Sequence, residues 1–175
     1  MDACIELIMR SIHGGHKILL FSQFTSMLER IGNCLKERDI HYYELTGQTG
    51  KKERMELTER FNEDDVPVFR ISLKAGGTGL NLTAADVVIH YDPWWNVAAQ
   101  NQATDRAHRL GQKNVVSVFK LITRSTIEES ILLLQENKRQ LAEKMMEGGG
   151  SLETAIGRDE LIALLEERRF EDELY

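Results

Sequence analysis

Proline and cysteine are both scarce, and each scarcity excludes something. Two prolines in 175 residues, together with the lack of any long polar run, argue against a disordered chain. The two cysteines, Cys4 and Cys34, stand far apart and in no metal-ligand spacing. A disulfide framework is therefore not expected, and a reducing, intracellular setting is. No apolar stretch approaches the roughly 20 residues that cross a bilayer, and no signal-peptide pattern opens the chain, so no membrane association is expected. Repeats and low-complexity segments are missing. The pattern GxxxxGK[ST], which cradles nucleotide phosphates, occurs nowhere. No Ser-His-Asp or Cys-His arrangement is suggested, and "HGGH" (13–16) has two histidines but no third metal ligand nearby. Net charge is −6, which disfavours a protein that coats nucleic acid nonspecifically. A local basic stripe stays open, because phosphate contacts need only a few well-placed donors. Much of the excess acid lies in 159–174.

What is present is enough for a core: 42% hydrophobic and 29% charged residues, in a length that suits one domain with a small appendage. Residues 2–13 read as a helix closed by Gly14 and Gly15. "KILLFS" (17–22) suits a buried parallel strand. Residues 24–38 place Phe24, Met27, Leu28, Ile31 and Leu35 at helical spacing. "HYYEL" (41–45) reads as a strand and 51–63 as a charged helix. "PVFRIS" (67–72) reads as a strand whose proline suits an edge or a first position. A strand over 86–92, a helix over 96–109 and a strand over 115–122 complete the alternation. Such alternation predicts a parallel sheet with helices on both faces, an α/β fold. Beyond it, Ser125 to Glu128 reads as a capping box. A helix with Ile127, Ile131, Leu134, Leu141 and Met145 on one stripe follows, ended by Gly148–Gly150, and a second helix is expected near 158–170.

Four segments carry candidate chemistry. In "ISLKAGGTGLNLTAAD" (71–86), Gly76, Gly77 and Gly79 let backbone amides approach an anion closely. Lys74, Thr78 and Asn81 add a cation and neutral donors. A dinucleotide GxGxxG pattern fails, because Leu82 stands where its last glycine belongs. A tight loop whose glycines only turn the chain reads equally well.

In "QATDRAHRLGQ" (102–112), a helix continued to residue 109 would bring Gln102, Arg106 and Arg109 within about 60° on one face. Ala99, Ala103, Ala107 and Leu110 would line the adjacent, packed face. Two guanidinium forks on one rigid helix could clamp a polyphosphate; a solvated charged face is the alternative. "DPWWN" (92–96) offers Trp94 and Trp95 as a buried anchor or as a stacking surface for nucleic acid, with Asn96 as an N-cap. "LTGQTGKKER" (45–54) sets Thr46, Gly47, Lys51, Lys52 and Arg54 at a helix start, which suits a phosphate backbone and also an ordinary solvated helix.

Taken in this order, the segments resemble the second RecA-like lobe of the Swi/Snf-type, helicase-like, DNA-stimulated ATPases of helicase superfamily two. "KILLFSQFTSMLE" is similar to that family's motif IV and "YYELTGQTGKKERMELTERFNED" to its next conserved block. "ISLKAGGTGLNLTAADVVIHYDPWWN" is similar to motif V and its extension, and "QATDRAHRLGQ" to motif VI. "TIEESI" resembles the start of the brace helix. Where the family usually continues "WWNP", Val97 stands here, at a small loss in helix initiation.

The resemblance implies a RecA-like three-layer lobe over 1–123 and C-terminal brace helices and tail over 124–175. It implies Arg106 and Arg109 as arginine fingers for the γ-phosphate of ATP, with Gly77, Gly79, Asn81 and Gln102 shaping the cleft. Thr46, Gly47, Arg54, Lys74, Thr78, Trp94 and Trp95 become candidates for contact with double-stranded DNA. ATP and Mg2+ would be held mainly by an N-terminal RecA-like lobe, whose lysine loop and acidic box are absent here. The chain is therefore expected to be the C-terminal piece of a longer translocase or remodeller acting on a DNA-bound protein complex, and inactive alone. A nuclear or a bacterial cytoplasmic home both fit; the compact lobe without large insertions favours the second. A non-catalytic binding module on the same scaffold is one rival. A complete small nucleotide hydrolase is another, disfavoured by the missing lysine loop.

Overall fold

The computed structural model of the chain describes residues 1–73, 75, 80–92, 94, 97–107, 112 and 114–136. The elements run α1 (Asp2–His13), β1 (Ile18–Ser22), α2 (Thr25–Lys36), β2 (Tyr42–Leu45), α3 (Lys51–Glu63), β3 (Val68–Ser72), β4 (Val87–His90), α4 (Val97–Thr104) and β5 (Ser117–Lys120). The chain divides into two compact units, one of 1–92 with 99–121 and one of 93–98 with 122–175.

In the first unit the five strands form one sheet in the order β2-β3-β1-β4-β5, with every neighbouring pair parallel. Its central strand β1 is a continuous apolar run because both sheet faces are covered. Leu19 and Phe21 point into a core with Phe61, Phe69, Ile71, Ala103 and Ala107, the side of α3 and α4. Ile18 and Leu20 point to the other face, among Ile5, Ile8, Leu28, Ile31 and Leu35 of α1 and α2. Each such fully buried aliphatic or aromatic side chain contributes about 1.5–3 kcal/mol by leaving water.

Local chemistry sets the element ends. Gly15 has φ +77°, and the amides of Gly15 and His16 donate to the carbonyls of Ile12 and Ser11 at 2.9 and 3.0 Å. This Schellman turn ends α1 at the expected glycine pair. Lys17 Nζ donates to the carbonyls of Asp64 (2.6 Å) and Phe61, so a cation closes the end of α3. Arg70, buried on β3, donates to the Leu28 carbonyl and to Glu44 and lies over the Tyr42 ring. Gly32 of α2 leaves the room that this guanidinium occupies.

Phe24 departs from expectation: it is 55% exposed and sits at the N-cap of α2, not in the core. Pro67 stands immediately before the inner strand β3, the opening position expected for it, and its carbonyl accepts from Ile18 N at 2.8 Å. The edge strands are β2 and β5, and on β5 Val118 and Phe119 stand exposed.

In the second unit, residues 127–136 are helical. The cap lies one residue later than the capping box at Ser125 would put it. Thr126 Oγ1 accepts from Glu128 N at 3.3 Å, and Glu129 rather than Glu128 accepts from Ser125 N, at 2.9 Å. Glu128 takes the amide of Thr123 at 2.6 Å. The expected continuation through Leu141 and Met145 to Gly148, and the helix near 158–170, lie outside the described residues. Among the described residues, no helix is long and apolar enough to cross a membrane.

Candidate functional site

Because the strands are parallel, the loops that leave β1, β2, β3 and β4 all emerge at one edge of the sheet. From neighbouring strands, β1 leads into α2 on one face and β4 into α4 on the other, and such a switch point opens a crevice for ligands. Asp92 spans it: its buried carboxylate accepts from Ser22 Oγ at 2.5 Å and from Gln23 N at 2.9 Å. Two donors on one carboxylate hold the turn after β1 against the end of β4.

The turn after β2 holds Thr46 and Gly47. Thr46 N donates to Thr49 Oγ1 at 3.0 Å, and Gly47 is exposed, with open space where a Cβ would stand. Arg54, from the first turns of α3, donates to the carbonyls of Thr49 (2.8 Å), Thr46 (3.2 Å) and Ala75 (2.8 Å). Its guanidinium thereby joins this turn to the start of the glycine segment.

The expected helical projection does not hold for Arg106. Helix α4 ends at Thr104, where the Thr104 hydroxyl turns back to the Gln100 carbonyl at 3.2 Å. Arg106 N and Ala107 N then bond three residues back, to Ala103 O and Thr104 O, in tighter turns. Gln102 is exposed while Arg106 is buried, at 2% exposure, so the two share no common face. Ala103 and Ala107 pack in the core as expected.

One hold on Arg106 runs through its backbone. Leu82 N donates to Arg106 O at 3.1 Å, which joins the chain returning from the glycine segment to the arginine segment. Asn62 of α3 grips that same return: its Nδ2 donates to Asn81 O at 2.7 Å, and its Oδ1 accepts from Ala84 N at 3.1 Å. Asn81 therefore shapes the loop through its carbonyl.

Beneath α4, His90 is fully buried and stacks on Phe21 with ring centroids 5.5 Å apart. Burial, helped by nearby Lys120, lowers its pKa to about 4. His90 Nε2 and the Thr104 hydroxyl share a hydrogen bond at 3.0 Å, and the same hydroxyl lies 3.2 Å from Gln100 O. Trp94 is half-buried, and its carbonyl accepts from Gln135 Nε2 at 2.8 Å. Lys74, Gly76, Gly77, Thr78, Gly79, Trp95, Asn96 and Arg109 lie outside the described residues. Among the described residues, no group of three or more His, Cys, Asp or Glu could hold a metal ion.

The pattern of the helicase conserved C-terminal domain matches residues 1–111. The chain belongs to that family. An uncharacterized ATP-dependent helicase of Mycoplasma pneumoniae is 42% identical over 166 residues, 94% of this chain and 16% of that protein. The human chromatin-remodeling ATPase INO80 is 39% identical over 160 residues, 91% of this chain and 10% of that one. The chain thus spans a sixth or less of the length of these relatives. The crystal structure of the C-terminal part of the Fun30 ATPase domain superposes with a TM-score of 0.72 at 39% identity, covering 75% of this chain and 43% of the other. The helicase C-terminal domain seen here is accordingly RecA-like, of the Swi/Snf type.

Reasoning from the sequence passed over Asp92, Asn62 and Gln112. Each acts on backbone groups distant in sequence, at separations of 69, 22 and 29 residues. Only Gln112 carried a local signal, as the residue closing the Arg-Leu-Gly-Gln run.

Proposed function

We propose that this helicase C-terminal domain is the second motor lobe of an ATP-dependent translocase or remodeller of double-stranded DNA, working against an N-terminal RecA-like lobe of the same protein. ATP supplies the cleavable phosphoanhydride and, with Mg2+, is held mainly by that first lobe. Arg106 and Arg109 are fixed cations that stabilise negative charge on the phosphoryl group in transfer. Gln102, Gly77, Gly79 and Asn81 shape the lobe's side of the cleft. Thr46, Gly47, Lys74, Thr78, Trp94 and Trp95 follow the DNA backbone, and Arg54 holds the Thr46 turn in place for it. A DNA-bound protein complex is the cargo, and the compartment is intracellular, nuclear or bacterial cytoplasmic.

The observation that carries this reading is the Leu82 N to Arg106 O hydrogen bond. It makes the return from the glycine segment, proposed to meet both the cleft and DNA, a hydrogen-bonded neighbour of the arginine segment, proposed to meet nucleotide. Family membership supplies the chemistry that such a pairing serves.

Arg106→Ala in the full-length protein should lower kcat for ATP by at least about 10³-fold, while DNA affinity in a filter or anisotropy assay changes little. One observation favours a second reading, a non-catalytic module: the Arg106 side chain is buried in this conformation. Wild-type turnover by Arg106→Ala would select that module.

A further inference from the structure

Gln112 sits at a crossing of backbone segments. Its Nε2 donates to Ala85 O at 2.7 Å, to Thr83 O at 3.2 Å and to Ala107 O at 3.3 Å. Two hydrogens face three carbonyls, so the short bond to Ala85 takes one, and Thr83 and Ala107 share the other. The amide is not free to turn over, because its Oε1 accepts from Asn114 N at 2.8 Å. Asn114 is itself anchored, with Nδ2 donating to Asp86 Oδ2 at 3.2 Å.

The consequence is mechanical. Residues 82–85, the return from the glycine segment, reach Arg106 and Ala107 by two routes. One is the Leu82 N to Arg106 O bond, and the other is the Gln112 amide. Asn62 fastens the same return to α3 on its other side. A shift of the 82–85 return thus reaches the Arg106–Ala107 backbone through both ties, and without Gln112 the Leu82 bond alone is left to carry it. A single hydrogen bond is a weak tie in water; the shared amide adds a second one between residues 83–85 and Ala107.

We infer that Gln112 is a positioning residue, which transmits engagement of the glycine segment to the backbone that carries Arg106. This rests on the motor reading proposed above. Gln112 touches neither nucleotide nor DNA in this role.

The experiment uses the full-length protein and measures ATP turnover without DNA and with saturating duplex DNA. Gln112→Ala should leave the DNA-free rate and the KM for ATP within about twofold. The DNA-stimulated kcat should fall by roughly ten- to a hundredfold, the scale expected when a catalytic group is displaced by about 1 Å. Gln112→Glu keeps the length and the acceptor for Asn114 but sets a carboxylate against three carbonyls, so stimulation should drop at least as far. Gln112→Asn keeps the amide one methylene short and should lose less; it carries the test if Gln112→Ala does not fold. Amide hydrogen exchange gives an independent readout. In Gln112→Ala, exchange at Leu82 should quicken while Leu20 and Phe69 in the sheet stay protected.

Equal losses with and without DNA would mark a purely structural role and overturn the inference. Full stimulation in Gln112→Ala, beside an inactive Arg106→Ala, would overturn it while leaving the motor reading intact. Wild-type turnover by Arg106→Ala would overturn the motor reading itself.

Discussion

Gly32 is a helix-interior glycine, which by propensity alone should gain about 1 kcal/mol on mutation to alanine. Here the added methyl would run into the guanidinium of Arg70, itself buried and bonded to Leu28 O and Glu44. Overpacking of this kind costs about 1–3 kcal/mol, so the clash wins. Gly32→Ala should lower the thermal midpoint by a few degrees in calorimetry; a raised midpoint would show that Arg70 can step aside. His90 makes the second residue-scale prediction. Unfolded, it takes a proton near its ordinary value of 6.5; folded, burial delays this to about 4. As pH falls through that window, the unfolded chain binds a proton the folded chain does not, so stability is lost towards acid. At full effect the difference corresponds to ~3 kcal/mol. Urea unfolding across pH 7 to 4 should show this slope, and His90→Gln should flatten it.

At the scale of elements, the ends of α2 and α4 are instructive. Past α2, the amides of Asp39 and Ile40 donate back to Lys36 O and Leu35 O, both at 3.0 Å, another Schellman turn. Its left-handed position is held by Asp39, with φ 56°, where glycine is the usual occupant. Asp39→Gly should therefore raise stability by about 0.5–1 kcal/mol, a gain of a few degrees in the midpoint. An unchanged or lower midpoint would mean that Asp39 makes up the strain elsewhere. The start of α3 at Lys51 was legible from its charge pattern, and the glycine pair after α1 from its turn chemistry. The end of α4 was not legible. Nothing in "QATDRAHR" breaks a helix by propensity, yet past Thr104 the amides of Arg106 and Ala107 bond three residues back instead of four.

At the scale of the whole molecule, the two-lobe proposal makes the chain one face of a reaction. The arginines proposed for catalysis have no lysine loop beside them, and the phosphate they would stabilise needs a second surface to hold it. The isolated 175-residue chain should accordingly release no phosphate from ATP above the blank, with or without DNA. Steady turnover by this chain alone, free of contaminating ATPase, would remove the two-lobe proposal. The parallel sheet brings Ser22 at the end of β1, Thr46 after β2 and Asp92 after β4 to one end of the strands, because every strand runs the same way. That arrangement followed from the alternation of strands and helices.

The sequence alone determined the strands, the two-faced sheet and the family, since these rest on short-range apolar periodicity and on residue motifs that survive without coordinates. Only the tertiary structure decided that α4 stops at Thr104, that Arg106 is buried while Gln102 faces water, and that Asn62 and Gln112 hold the returning chain. These depend on which backbone carbonyls and amides are left unpaired after the sheet has formed. Local sequence does not encode such leftovers; they exist only when distant segments meet.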